Sequence, residues 1–293
     1  MKELKGSITA LITPFKDGAV DEAAFQALVE RQIAEGTHAL VPVGTTGESA
    51  TLTDEEHERV IRLCVEAAGG RVPVVAGAGS NDTAYAVSMA RRVEGFGADA
   101  ILAVTGYYNR PSQAGLVAHF TELNDAVSLP IIVYNIPART VVGLSVETLA
   151  TLSKLPRIVG VKDATGDLAR VALQRRECGE DFVQLSGEDM TAVGFNAMGG
   201  RGCISVASNI APKLCAEMQE ASLAGDYKTA LALQDRLAPL HDALFSDASP
   251  GPAKYALSLM GLCADEVRLP LVGPGEASKQ KVRAALEELD LLG

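Results

Sequence analysis

Residues 157–167, RIVGVKDATGD, place a lysine at the end of an apolar, β-branched run and just before a small polar turn. Ile158, Val159 and Val161 favour a buried strand, and Ala164, Thr165, Gly166 and Asp167 read as turn and helix start. Period-two alternation sends Ile158, Gly160 and Lys162 to one face and Val159 and Val161 to the other. Lysine is seldom buried without a reason. Taken alone, the stretch reads best as a lysine snorkelling from a strand end into water. The chemical alternative is an amine enclosed in a pocket, where lost hydration favours the neutral, nucleophilic form. The rest of the chain has to decide.

Short β-branched runs alternate with longer amphipathic segments. The strand-like runs are 7–13, 38–44, 73–77, 99–104, 130–135, 157–162, 181–187 and 202–208. Helix-like stretches follow at 21–35, 54–68, 83–95, 113–126, 145–153, 168–177, 190–197 and 211–221. Eight such units suit a parallel α/β fold and fill a (β/α)8 TIM barrel of roughly 250 residues. A doubly wound open sheet is the alternative, but no G-x-G-x-x-G follows the first run. The expected organisation is therefore a catalytic barrel over 1–222 and a C-terminal helical extension over 223–293, with helices at 226–242, 252–262 and 275–290.

In such a barrel the chemistry sits at the carboxyl ends of the strands. Those ends present GTTGES (44–49), TGYYNRP (105–111), YNIPART (134–140), KDATGD (162–167), SGED (186–189) and ISVASN (204–209). Thr45, Thr46, Tyr107, Tyr108, Tyr134, Arg139, Lys162 and Ser205 gather there. Any one of them alone reads better as packing, or for Arg139 as an ion pair; their coincidence at one rim does not. GTTGES could offer backbone N–H groups to an anion, but it lacks the G-K-[ST] ending of a nucleotide loop. The following T-D-E-E reads as a capping box on Thr53 and Glu56.

Composition excludes several classes. A formal charge of −11 argues against nucleic acid or an anionic membrane as partner. Five scattered cysteines fit a reducing compartment, and the amino-terminal run lacks a signal-peptide pattern, so a cytoplasmic location is expected. The four histidines show no metal-ligand spacing, and no nucleotide or pyridoxal fingerprint is present, so neither metal nor cofactor is expected. What survives is chemistry carried by the protein's own amine.

GSITALITPF, GTTGES, YYNRPSQ, YNIPART, GVKDATGD, SGED and GGRGCISVASN occur in order over essentially the whole chain. In this they resemble the dihydrodipicolinate synthase / N-acetylneuraminate lyase family. The resemblance implies a pyruvate-dependent class I aldolase in which Lys162 is the Schiff-base lysine. It further implies that Tyr134 shuttles protons, linked through Thr45 to Tyr108, and that Tyr108 reaches into the site of a neighbouring subunit. Thr46 would hold the pyruvate carboxylate, and Gly187 and Ile204 would line the pocket. A homo-oligomer follows, a tetramer built from tight dimers. GTTGES and Arg139 favour the synthase branch, in which the arginine binds aspartate β-semialdehyde and the product is 4-hydroxy-tetrahydrodipicolinate. The alternative is another pyruvate aldolase, acting on N-acetylneuraminate or a 2-keto-3-deoxy sugar acid.

Regulated members bind lysine at a dimer interface, and Ser49, Ala50, His57, Asn81 and Tyr107 match that regulatory site. Asp54 and Tyr85 stand where a histidine and a glutamate would be. Without the glutamate carboxylate to hold the inhibitor's amine, weak or absent inhibition by lysine is expected.

Overall fold

The computed structural model describes residues 3–292. Eight parallel strands alternate with eight helices. They run β1 (Gly6–Ala10), α1 (Glu22–Ala34), β2 (Ala39–Val41), α2 (Asp54–Ala68), β3 (Val75–Gly77), α3 (Thr83–Glu94), β4 (Ala100–Val104) and α4 (Gln113–Ala126). The second half runs β5 (Ile131–Asn135), α5 (Val146–Leu152), β6 (Ile158–Asp163), α6 (Ala169–Cys178), β7 (Val183–Ser186), α7 (Ala192–Ala197), β8 (Gly202–Ser205) and α8 (Pro212–Leu223). The strands pair in the order β2-β1-β8-β7-β6-β5-β4-β3. A parallel bridge between Leu40 and Val74 joins the two ends of the sheet and closes the cylinder. The fold is a (β/α)8 barrel, as the alternation predicts.

Two layers of apolar side chains explain its closure. Ile8, Val41, Val75, Leu102, Ile132, Leu185 and Ile204 fill the inside. Ile101, Ile131, Val133 and Val161 face outward and pack under the helices. Strand β6 is the exception, because its inner positions carry Gly160 and Lys162. A Cβ on Gly160 would stand 2.4 Å from the Val183 carbonyl oxygen and 2.7 Å from the Val183 Cβ. The glycine thus lets β7 close against β6.

Strict alternation fails at the start of this strand. Ile131 pairs with Ile158 and Ile132 with Gly160, so the register skips Val159. Ile158 therefore joins the outer layer and Val159 leans on the inner one, the reverse of the expected facing. Beyond the irregularity the alternation holds. A short hairpin, Phe15–Lys16 with Ala19–Val20, was also not expected; two-residue strands are too short to show a period.

The capping box is formed: the Glu56 N–H donates to Thr53 Oγ1 at 3.2 Å, and the Thr53 N–H donates to Glu56 Oε2 at 3.0 Å. Helices α9 (Tyr227–Leu244), α10 (Gly251–Leu259) and α11 (Glu276–Glu288) follow the barrel. Leu237, Leu257 and Leu286 share one core with Leu28, Val193 and Met218 of the barrel helices. All five cysteines are free. Among the described residues no helix is long and apolar enough to cross a membrane.

Replacing Gly160 with alanine is expected to destabilise the fold by about 1–3 kcal/mol, because the added carbon meets backbone that cannot retreat. A lowered thermal midpoint for Gly160→Ala would show this. An unchanged midpoint would mean that β7 has room to move.

Candidate active site

Lys162 lies one residue before the end of β6, beside its register partner Tyr134 on β5. The side chain is only 7% exposed, which overturns the snorkelling reading. Its Nζ stands 4.1 Å from the centre of the Tyr134 ring. Among the described residues the amine has no hydrogen bond and no ion pair. The space it occupies is left by a second glycine: a Cβ on Gly187 would lie 3.1 Å from Lys162 Cε and 2.7 Å from Ala164 Cβ.

The turn after Lys162 is anchored by Asp163, which points away from the barrel interior. Its carboxylate accepts from the Thr165 N–H at 3.0 Å, the Thr165 hydroxyl at 2.6 Å, Arg170 Nε at 3.1 Å and Gln174 Nε2 at 2.7 Å. Four donors on one buried carboxylate hold the end of β6 in place.

Tyr134 forms part of the wall of a cavity of about 530 Å³ at the carboxyl end of the barrel. Thr45 and Arg139 line the same cavity, as does Tyr107. Arg139 projects from the short helix Pro137–Thr140 that follows β5. It is exposed, and among the described residues no carboxylate pairs with it. The ion-pair reading of this arginine does not hold within the chain.

The GTTGES loop supplies a different kind of donor. Its own bonds run from the Gly47 N–H to the Gly44 carbonyl at 3.0 Å and from the Glu48 N–H to the Thr45 carbonyl at 3.1 Å. Among the described residues the Thr45 and Thr46 N–H groups have no acceptor. Thr46 is buried, as is Ile204, which packs in the inner layer with Tyr134. Lys162, Thr46, Gly187 and Ile204 do not line the cavity itself; Lys162 lies against the Tyr134 ring, Gly187 against the Lys162 stem, and Ile204 in the inner layer with Tyr134.

Tyr108 is elsewhere. It is 90% exposed with φ at +70°, and within one chain it meets neither Thr45 nor Tyr134. Ser49, Ala50 and His57 line the outer part of the cavity with Asp54 and Tyr85. Asn81 does not line it; its side-chain amide donates to the Tyr107 carbonyl at 3.2 Å. The two departures from the regulated pattern meet each other: the Tyr85 hydroxyl donates to Asp54, whose other oxygen accepts from Arg92 at 2.8 Å.

Sequence reading missed Glu48, Lys254 and Arg268. Glu48 lines the cavity and is 3% exposed, and Lys254 Nζ lies 2.5 Å from its Oε1. Only the carboxylate inside GTTGES hinted at such a partner.

A closed barrel with a buried lysine at a strand end, free of any ionic partner among the described residues, supplies the enclosed amine that a Schiff-base-forming lyase requires. The comparisons carry this further. The family model of the dihydrodipicolinate synthetase family matches residues 3–289, and the chain belongs to that family. It is 62% identical over 288 residues to a 4-hydroxy-tetrahydrodipicolinate synthase of Parvibaculum lavamentivorans, covering 98% of this chain and 99% of that one. It is 61% identical over 289 residues to the enzyme of the same name from Methylobacterium radiotolerans, covering 99% and 97%. The crystal structure of a chloride-inhibited dihydrodipicolinate synthase from Acinetobacter baumannii, complexed with pyruvate, superposes with a TM-score of 0.97 at 42% identity, covering 99% of this chain and all (100%) of that one.

Burial pulls the His57 imidazole down to about 4, against the opposing effect of its bond to the Gly77 carbonyl. His38, His119 and His241 are lowered as well, each by burial first. In the unfolded chain His57 takes its proton near 6.5. The unfolded state therefore binds the proton first, and stability present above about pH 6.5 is lost as the pH falls towards 4, by up to about 1.4 kcal/mol per unit for each such group. Thermal midpoints should fall between about pH 7 and pH 5, and less steeply in His57→Gln. Parallel slopes for the two proteins would contradict the assignment to His57.

Proposed function

We propose that the protein condenses pyruvate with (S)-aspartate β-semialdehyde through a Schiff base on Lys162 and releases 4-hydroxy-tetrahydrodipicolinate. The observation that carries this reading is the Lys162 amine, buried without an ionic partner against the Tyr134 wall of a cavity that also holds an unpaired arginine. An amine so placed has no carboxylate tying it up among the described residues, and its lone pair is the nucleophile that attacks a ketone.

The lone pair of Lys162 adds to C2 of pyruvate. The carbinolamine loses water to give an iminium, which draws electrons and acidifies the methyl group. A proton leaves that methyl group, and the enamine carbon attacks the aldehyde of the second substrate. The amine of that substrate then adds to the iminium carbon, closes the ring and expels Lys162 as the free amine. Protons must move at the imine carbon in both directions, which calls for a group that donates and accepts. In this reading Tyr134 is that group, with Thr45 relaying to Tyr108 of a second copy.

The unsatisfied N–H groups of Thr45 and Thr46 suit the pyruvate carboxylate. Arg139 suits the carboxylate of the aldehyde, through paired N–H donors. Gly187 and Ile204 shape the pocket around the lysine. Tyr108, 90% exposed, suits a role in the site of a second copy, and so a tight dimer, two of which would form the tetramer. A cytoplasmic location belongs to the same reading and is supported by the five free cysteines.

Ser49, Ala50, His57, Asn81 and Tyr107 outline a regulatory site, but the Asp54 carboxylate is already engaged by Tyr85 and Arg92. A lysine ligand's amine would find no free acid there. Millimolar lysine is expected to leave turnover largely unchanged, and strong inhibition would overturn that.

The test of the reaction is turnover of the two substrates, coupled to a reductase that consumes the product. Lys162→Ala should lose at least about 10³-fold in rate and all borohydride-trapped pyruvate adduct. Arg139→Ala should raise KM for the aldehyde by roughly 10- to 100-fold while leaving that for pyruvate unchanged. An intact enzyme that turns over sugar acids and not the semialdehyde would sink the substrate assignment.

A further inference from the structure

Besides Lys162, Lys254 on α10 is the only buried lysine among the described residues, and it has no exposure at all (0%). Its ammonium donates to the Glu266 carbonyl at 2.8 Å, lies 2.5 Å from Glu48 Oε1, and stands 3.9 Å from the centre of the Phe15 ring. The other Glu48 oxygen accepts from the Arg268 N–H at 3.0 Å. The Arg268 guanidinium binds both oxygens of Glu56 at 2.6 Å, donates to the Thr51 carbonyl at 2.9 Å and to the Gly18 carbonyl at 2.8 Å, and stacks 4.2 Å from the same Phe15 ring. Three segments distant in sequence are thereby locked together: the GTTGES loop with the start of α2, the hairpin at 15–20, and the C-terminal stretch from 254 to 268.

Glu48 is where this lock meets the site. It follows Thr46 by two residues and lines the same cavity as Thr45. Its φ is +54°, in the left-handed region that a non-glycine residue keeps only when its surroundings enforce it. From below, Thr13 Oγ1 donates to the Gly47 carbonyl at 2.8 Å, and a Cβ on Gly47 would press to 3.0 Å on the Val43 backbone. The loop that presents the Thr45 and Thr46 N–H groups is thus pinned at its inner edge by the barrel and at its outer edge by the ion pair. Packing alone would have been satisfied by an apolar pair here, since removing two buried charges together is commonly tolerated.

We infer that the Glu48–Lys254 ion pair is a positioning device for the substrate-binding loop, which couples the C-terminal helical region to pyruvate binding. The inference rests on the proposed role of Thr46 and its loop as the holder of the pyruvate carboxylate. Neither Glu48 nor Lys254 touches substrate in this scheme. They act through the threonines.

Borohydride trapping of pyruvate on the intact protein, read by mass spectrometry, first tests the parent reading. If no adduct forms on Lys162, that reading fails and this inference falls with it. With trapping established, half-saturation by pyruvate is compared for wild type, Glu48→Gln, Lys254→Met and the double variant Glu48→Gln/Lys254→Met. The expected result is a rise on the order of tenfold in half-saturating pyruvate in Lys254→Met and in the double variant, with KM for the aldehyde held within about twofold. The double variant, which buries no lone charge, should recover the thermal midpoint without recovering pyruvate binding. Where Lys254→Met does not fold, Glu48→Gln and the double variant carry the same comparison. Half-saturation within about twofold of wild type in the folded variants, or recovery of pyruvate binding and thermal midpoint together, overturns the positioning role.

Discussion

A lysine fits inside a packed parallel barrel only where its neighbours withdraw, and here two glycines make the room. Gly160 lets β7 approach β6, and Gly187 leaves the methylene stem of Lys162 a channel that a Cβ would close. Everything else at the site is arranged around that enclosure. Tyr134 covers the amine with its ring from the adjoining strand, and Asp163, on the opposite face of β6, fastens the strand end through four hydrogen bonds. The lysine thus stands on a rigid support with no carboxylate to neutralise it.

The chain contains its own control for that arrangement. Lys254 is more deeply buried than Lys162, yet it is met by Glu48, a carbonyl and an aromatic face. Burial pulls its ammonium towards the neutral form, and Glu48 opposes that pull. Two buried lysines in one protein therefore receive opposite treatment. A charge kept for structure needs a counter-charge, because an isolated buried ion is prohibitively expensive. An amine meant to react is better left without one, since a carboxylate bound to it would occupy the nitrogen that has to reach the substrate.

The barrel was legible because each strand–helix unit repeats the same change of hydrophobic period, and the helix spans agree with the sequence pattern to within a few residues. The inner position of Lys162 was legible for the same reason. Ile158 and Val159 were not, because the skipped residue at Val159 depends on the pairing with β5 and leaves no trace in β6 alone. Arg139 alone read better as an ion pair, and only the closed fold shows it on a cavity wall with no carboxylate paired to it among the described residues. Glu48 and Lys254 were invisible for a related reason. Each sits in an ordinary local pattern, and their meeting is a property of the closed fold.

The net charge of −11 sets a further constraint on a site for two anionic substrates. The protein's field as a whole repels them, so attraction has to be local and protected from the surrounding acids. In the proposed scheme Arg139 meets this: it stands on the cavity wall with no carboxylate paired to it among the described residues, whereas Arg92 and Arg268 are engaged by Asp54 and Glu56. The N–H groups of Thr45 and Thr46 meet it differently. In the proposed scheme they offer oriented dipoles, which would bind an anion without importing a full cation beside Lys162. A full cation there would oppose the iminium that the proposed reaction needs next. In the proposed scheme neutral donors therefore hold pyruvate and a guanidinium is kept for the second carboxylate, so that no full cation stands against the iminium.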